Sequence, residues 1–541
     1  MMDDECFKSL IINILRINYL SFIIAFMKII CRKSNLSKVQ AHLARQILTQ
    51  HFPDVPMDFL FKETRGDLDQ ATPLYLMPDK NVFSSDIDAA LLRGAADFAV
   101  HSLKDVGEER LLSEGDFYAA VFERELPHDV VIFKPAILDI LQKKTTLNIG
   151  TSSLRREELV PRFLQKALPF DPKNVDFQGK TLRVSIKPIR GNVETRLRKL
   201  INSDAYDGVV LAAAGLNRLL NSEFSHEVKT LLDGTLKMWL PLVECPPALG
   251  QGALLIECLK TNTQAVEMLK SIDNQQLKAQ LLAERAATLD FGKGCHQRFG
   301  AIFIQNTEGS DLVIAAGKTA EGQSANRFVF EVDKRLANKK IVSATDFMRA
   351  FFDYDFFDKN LINGVLRSHN FENITFFVAH HRAATAEILP ILRGPKIWVS
   401  GTKTWFELAK KGIWVEGCAD GFGIDFLKNA WQSPLAAVSE SEIVMLTNEN
   451  SAIDWQKEGR RAVATYRLLP NPSEGLIAAL RSAEAVFWTS FKQFEACQSF
   501  VTEGVIHACP AGKTAKKLRE LGLEPAVFPS IKAFLSQITF C

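Results

Sequence analysis

From Lys28 onward, short apolar runs alternate with amphipathic stretches, and no other feature constrains the fold as much. Lys28-Ile-Ile-Cys31 precedes a helical pattern over 37–50. Asp97-Phe-Ala-Val100, then 146–150 and Gly208-Val-Val-Leu211, continue the series. Strands separated by helical crossovers predict an α/β protein built on parallel sheets. After Gly252, residues 253–257 read as another strand, 277–289 as a helix, and 301–304 with 312–315 as a small sheet. The 541 residues suffice for roughly three or four domains.

At three places an apolar run stops, arginine appears and a helix begins. These are Ser153-Leu-Arg155-Arg156, Ile189-Arg190-Gly191-Asn192 continuing to Arg196, and Leu211-Ala-Ala-Ala-Gly215-Leu-Asn-Arg218. In an open α/β domain, strand ends and helix starts line one crevice, where helix N–H groups favour anions. Guanidinium forks match carboxylates or phosphates. The three turns therefore predict a polyanion site, with Arg155 and Arg156 at a solvent-facing helix start. Lys+Arg 65 against Asp+Glu 63 leaves a net charge of +2, so bulk charge gives no reason to expect nucleic acid or an acidic membrane.

The nine cysteines include no C-x-x-C pair, which fits a reducing cytosol better than a disulfide framework or a structural zinc. Residues 10–30 are apolar but interrupted by Arg16 and Lys28, too short a run to span a bilayer. Residues 1–27 read as a poorly ordered extension, as sequence upstream of a true start at Met27, or as a membrane-surface anchor.

His101-Ser102-Leu103-Lys104-Asp105 follows the apolar strand 98–100. Asp105 reads either as a carboxylate that stabilises a cation on a bound substrate or as a salt-bridged strand end. Gly294-Cys295-His296 sits in a turn near Lys293, so its thiol is either an accessible nucleophile or attachment point, or incidental. His380-His381 lacks a third ligand at suitable spacing, which favours a surface or substrate contact over a metal. Beyond 370 the chain repeats weakly: Thr404-x3-Leu408-x3-Gly412 matches Thr514-x3-Leu518-x3-Gly522, and Phe377 matches Phe487, both at an offset of 110 residues. This predicts a duplicated strand–helix unit.

Several motifs occur in order: Arg32-Lys-Ser34, Lys80-x-x-Phe83, Ala99-Val-His-Ser102-Leu-Lys104-Asp105, Gly150-Thr151-Ser-Ser153-Leu-Arg155-Arg156, Arg190-Gly191-Asn-Val-x-Thr-Arg196, Ala213-Ala-Gly-Leu-x-Arg218, Pro247-Ala-x-Gly250-Gln-Gly, and Leu282-Ala-Glu-Arg followed by Gly294-Cys295. Together they resemble porphobilinogen deaminase, also called hydroxymethylbilane synthase, from about 28 to 342. The resemblance implies two lobes like those of periplasmic binding proteins, at 28–124 plus 242–262 and at 125–241. A small α/β domain at 263–345 would carry the cysteine. It further implies a dipyrromethane cofactor on Cys295, and Asp105 contacting pyrrole nitrogens and stabilising the azafulvene cation formed when porphobilinogen loses ammonia. Lys104, Ser34, Thr151, Ser153, Arg155, Arg156, Arg190 and Gly191 would hold the cofactor, and Arg32, Arg196, Arg218, Lys80, Phe83 and Ser102 the substrate. Where the family has glycines beside the lysine, this chain has Asp79 and Asn81. Gly107 replaces a proline, and His296-Gln297-Arg298 follow the cysteine. None of these removes a charge that the chemistry needs.

Residues 371–541 resemble uroporphyrinogen III synthase through Ala464-Thr-Tyr466-Arg, Val486-Phe-Trp-Thr-Ser490 and Ala511-Gly-Lys-Thr514. The resemblance implies a pair of flavodoxin-like α/β lobes, with Tyr466 assisting loss of the ring D hydroxyl and Ser490 and Thr514 holding carboxylates. The family's opening strand is expected to be missing, its place taken by a connector at 346–370. The competing readings are an inactive C-terminal half and, for the first half, a sensor that only binds an anion between two lobes. Cys295 and Asp105 favour the enzyme. A cytoplasmic monomer acting on porphobilinogen, without nucleic acid or stable membrane association, is expected.

Overall fold

Capping chemistry sets where many helices begin. Ser34 accepts the N–H of Ser37, Ser153 that of Arg156, Asn192 that of Thr195, Asn262 that of Ala265 and Asn448 that of Ser451. The computed structural model describes residues 26–68, 83–169, 182–291, 297–306, 309–343, 351–357 and 374–538. The chain divides into one unit of Met1–Arg124 with Ala253–Lys278 and another of Glu125–Gly252 with Ala279–Cys541.

The first unit contributes β1 (Met27–Arg32), β2 (Met57–Lys62), β3 (Phe98–Ser102) and β4 (Phe117–Arg124). The chain then crosses to the second unit for β5 (Asp129–Phe133), β6 (Thr146–Gly150), β7 (Arg183–Lys187), β8 (Gly208–Ala212) and β9 (Leu236–Trp239), and returns with β10 (Ala253–Leu259). The first sheet has the order β2-β1-β3-β10-β4, with β1 parallel to β2 and β3, and β10 antiparallel to both neighbours. Its core joins Ile29, Phe98, Val100 and Ile256 to Ala265, Met268 and Leu269 of the helix Thr263–Ile272. In the second unit β7-β6-β8-β5-β9 form a sheet in which β5 runs antiparallel to β8 and β9. Both sheets are therefore mixed where the alternation alone predicts parallel ones.

Two expected boundaries move. The return crossing comes at Ala253 rather than near Leu242, because β9 pairs with β5 and Leu240 N–H donates to Asp129 O at 2.9 Å. Thr263–Ile272, assigned above to the small domain, packs in the first unit's core through its buried face. The small sheet itself is β11 (Phe299–Ile304), β12 (Leu312–Lys318) and β13 (Ser324–Val329), all antiparallel.

The C-terminal half holds two sheets. The strands are β14 (Ile341–Ser343), β15 (Phe352–Phe356), β16 (Thr375–Val378), β17 (Lys396–Val399), β18 (Gly417–Cys418), β19 (Ile443–Asn448), β20 (Arg461–Pro470), β21 (Ala485–Phe487), β22 (Ile506–Pro510) and β23 (Ala526–Phe528). Their orders are β15-β20-β19-β16-β17-β18 and β14-β21-β22-β23. The offset of 110 residues carries β16 onto β21 and the helix Thr402–Ala409 onto Lys513–Glu520, so the sequence repeat is a repeat of elements. Two expectations are corrected here. Residues 341–343, assigned above to the small domain, pair in parallel with β21, and 352–356 is a strand antiparallel to β20 instead of connector. Ile341-Val-Ser is too short to stand out as a strand before its partner is known.

Candidate active site

In the first unit, the strand β3 ends in a turn of 3-10 helix, Leu103–Asp105, which places Ser102, Lys104 and Asp105 together at its tip. The Ser102 hydroxyl accepts from Gln40 Nε2 at 3.0 Å. Asp105 is half-buried, and no hydrogen bond or ion pair holds its carboxylate among the described residues. A carboxylate kept partly out of water without a partner is poised for a cation.

Arg32, at the end of β1, pairs with Asp67 and lies over the ring of Phe83, 4.1 Å from its centre. Burial pushes the Asp67 carboxyl up, but the hydrogen bond and charge of Arg32, with bonds from Thr64, hold it below its ordinary value. An incoming carboxylate must therefore compete with Asp67 for Arg32. Ser34 spends its hydroxyl on the helix cap and on Ser37 Oγ at 2.9 Å. Lys80 and Cys295 lie outside the described residues.

In the second unit, Arg155 and Arg156 are only 3% and 6% exposed, which corrects the expectation of a wet helix start. The reason is Asp129, fully buried at the start of β5, which receives Arg155 Nη2 and Arg156 Nη2 at 2.7 Å each. Arg155 Nη1 also donates to Pro246 O and Arg156 Nη1 to Val210 O, both at 2.9 Å. Burial alone would raise the Asp129 carboxyl. The two guanidiniums and a bond from Gln251 overcome it and hold the group well below the usual carboxylate range. Nothing in the arginine motif pointed to Asp129, although an acid opening the apolar run 130–133 is a weak signal for a buried partner.

Two guanidiniums on one carboxylate leave a positive charge uncompensated among the described residues, and there the Nε–H groups of Arg155 and Arg156 are buried without a hydrogen-bond partner. Thr151, 2% exposed, accepts the N–H of Ser153 at 3.2 Å and closes the turn before them. Arg190 is buried and Arg196 half-buried, with Arg196 Nε donating to Gly191 O at 2.8 Å. Gly191 has φ +114°, and a Cβ there would stand 2.6 Å from Thr195 Cγ2, so only glycine suits the turn. Arg218 Nη2 donates to Gly252 O at 2.7 Å. This donor set suits a ligand rich in carboxylates.

In the C-terminal half, Tyr466 lies on β20 opposite Phe356 of β15 and Asn448 of β19. Burial pushes its phenol up to about 12, with a hydrogen bond to Asn448 working the other way. Tyr354 stands beside it, with ring centres 5.9 Å apart, and Arg382 Nη1 donates to the Tyr354 hydroxyl at 2.9 Å. Neither partner was singled out by sequence. Ser490 and Thr514 sit at the starts of the helices Phe491–Cys497 and Lys513–Glu520. His380 is brought down to about 3 by burial and by the charges of His381, Arg382 and Lys403. Among the described residues the metal-type grouping is Asp88, His101 and Glu257, and the Arg110 guanidinium already bridges both of its carboxylates.

The fold and these turns define a mixed α/β protein that gathers arginines at its strand ends. The family model described as "Porphobilinogen deaminase, dipyromethane cofactor binding domain" matches residues 27–267. A probable porphobilinogen deaminase of Pyrobaculum islandicum is 34% identical over 57% of this chain and 94% of its own length. The porphobilinogen deaminase of Desulforamulus reducens is 34% identical over 58% and 95%, and that of Synechococcus elongatus 35% over 50% and 75%. The chain belongs to the porphobilinogen deaminase family. Its cofactor is dipyrromethane, which in this family is attached to a cysteine. The surplus positive charge of the Arg155–Arg156–Asp129 group is of the sign that a carboxylate-bearing cofactor requires. No helix among the described residues is long and apolar enough to cross a membrane.

Proposed function

We propose that the chain joins four molecules of porphobilinogen head to tail, releasing ammonia at each addition, and that one water then cleaves the tetrapyrrole from the cofactor as hydroxymethylbilane. The observation that carries this reading is the half-buried Asp105 at the tip of β3, whose carboxylate has no partner among the described residues. Dipyrromethane, which Cys295 would hold, would supply the free pyrrole α-carbon for the first unit, and each later unit joins the pyrrole added before it. Asp105 accepts hydrogen bonds from pyrrole N–H and lowers the energy of the positive charge that develops on the incoming porphobilinogen as its C–N bond breaks. Arg155, Arg156, Arg190, Lys104, Thr151 and Ser153 hold the carboxylates of the cofactor, with Ser34 and Gly191 shaping the turns. Arg32, Arg196, Arg218, Lys80, Phe83 and Ser102 receive those of the substrate, and each added pyrrole brings two more. The first two lobes, the small domain and their connections are assigned as the resemblance implies, with the crossing at Ala253. The test is the intact mass of protein from a host able to make porphobilinogen. A mass equal to the bare polypeptide, in protein that turns over, would sink the assignment of Cys295.

A second activity is supported by the topology of the C-terminal half. The chain enters one sheet by β14, leaves through β15, returns by β20 and completes the first sheet with β21 to β23, so two antiparallel strands connect two α/β lobes. We assign these lobes the closure of hydroxymethylbilane to uroporphyrinogen III, with Tyr466 giving its proton to the departing ring D hydroxyl. Ser490 and Thr514, at helix N-termini, would bind carboxylates. Feeding porphobilinogen to the purified chain decides it: type III product supports a working synthase, and exclusive type I product rejects it.

A further inference from the structure

The stretch from β9 to Gly252, by which the chain leaves the second unit, is held from several sides by the C-terminal half. Trp239 N–H donates to Glu416 O at 2.7 Å. Leu242 and Val243 N–H donate to the Asp420 carboxylate at 3.0 and 3.4 Å. Glu244 Oε1 receives Lys532 Nζ at 2.7 Å and Thr402 Oγ1 at 3.2 Å, and Lys532 also reaches Thr402 at 3.2 Å. Thr402 belongs to the helix after β17 and Lys532 to the helix after β23, so both C-terminal sheets meet at one glutamate.

The other crossing is reached too. Leu435 N–H donates to Asn217 Oδ1 at 3.3 Å, and Asn217 Nδ2 donates to Glu125 Oε1 at 3.4 Å. Glu125 N–H in turn bonds Gly252 O at 3.0 Å, tying the outgoing and returning legs together. Asn217 neighbours Arg218, whose guanidinium holds the same Gly252 carbonyl.

Apolar packing runs beneath these bonds. Trp405 is fully buried against Phe163, with ring centres 5.1 Å apart, and its Nε1–H donates to Ala167 O at 3.1 Å. Trp414 meets Phe133 edge-on at 5.2 Å. One continuous core contains Phe133, Leu159, Phe163 and Leu164 together with Phe376, Trp405 and Leu408. A tethered passenger domain would bring a polar, solvated surface to its neighbour. Here buried indoles, and an acid whose two oxygens accept main-chain N–H groups of the deaminase part, face across the junction.

We infer that the C-terminal half braces the deaminase, fixing residues 239–252 and the Glu125 leg, so that deaminase turnover depends on Thr402, Asp420 and Lys532 whether or not that half is itself a synthase. The activity arm rests on the deaminase reading, whereas the association arm does not.

The test uses the full chain. A specific protease site is placed in the exposed turn 337–340, so that β14 and β15 stay with their partners β21 and β20 in the C-terminal fragment; the purified protein is cut, and the product is sized and assayed. The fragments should co-elute and melt in one transition, and turnover should stay within about twofold of the uncut chain. In parallel, Lys532→Met and the milder Thr402→Val should each lower deaminase turnover, the former by at least about fivefold, with the circular dichroism spectrum unchanged. Fragments that separate while the deaminase piece keeps full turnover overturn the brace, and so does parental turnover in both variants. A parent that makes no hydroxymethylbilane would instead defeat the deaminase reading, and co-elution would still decide the brace.

Discussion

The carboxylate of Asp129 and the guanidinium of Arg156 meet at 2.7 Å in the protein interior, and Arg155 completes the group from the other carboxylate oxygen at the same distance. Replacing Asp129 by Asn should cost ~3–5 kcal/mol of stability, because it strands two buried cations. Its depressed carboxyl makes a contribution that is complete above the unfolded value of about 4 and is lost as the pH falls below it. Urea denaturation at pH 7 and at pH 3 should therefore show a parent–variant gap that narrows in acid. A gap that widens in acid would refute the sign.

Asp105→Ala should reduce turnover roughly 100-fold or more while leaving the melting temperature within a degree or two, since the side chain has no hydrogen-bond or ion-pair partner to lose among the described residues. Asp105→Glu should keep a small residual rate. Equal turnover in the alanine variant and the parent would remove Asp105 from the chemistry.

Asp420 should make the protein less stable as the pH rises from about 4 to 7. Burial raises its carboxyl to about 7, against bonds from Leu242 and Val243 and the charge of Lys532, while Glu244 adds to the rise. Cys418 Sγ, 3.8 Å away, is the other group facing it. A raised folded value means stability that is whole below the unfolded value and declines through the folded one. Asp420→Asn should flatten this decline, read as unfolding free energy across the pH series. An unchanged slope would show that the group stays ionised throughout.

Tyr466→Phe should leave consumption of porphobilinogen unchanged and shift the product from the type III toward the type I isomer, because only the phenolic proton is removed. The ratio of isomers by chromatography is the measurement. A ratio equal to the parent's would leave Tyr466 with a packing role between Tyr354 and Phe356.

Short-range signals carried much of this molecule. The strand ends before Arg155, Arg190 and Arg218 depend on local pattern, and the 110-residue repeat on direct comparison of residues, so all are visible in sequence. What escaped is set by strand order. Asp129 finds its arginines because β5 lies beside β8 and the helix Leu154–Ala167 crosses nearby, which no spacing records. β14 acquires meaning only when paired with β21, well over a hundred residues later. Trp405 and Trp414 read as ordinary core aromatics of their own half, yet their Nε1–H groups donate to Ala167 and Lys237 of the other. Distant pairing is invisible to periodicity.

The place of β10 between β3 and β4 governs how the chain must be born. Residues 253–259 leave the ribosome more than a hundred residues after β4, a delay of roughly 6 to 26 s at ordinary translation speeds. Until then the facing edges of β3 and β4 display unpaired main-chain groups, ready to template pairing with another nascent chain. The sheet of the first unit is thus completed late, so the order of synthesis, and not only the stability of the finished protein, bears on its folding.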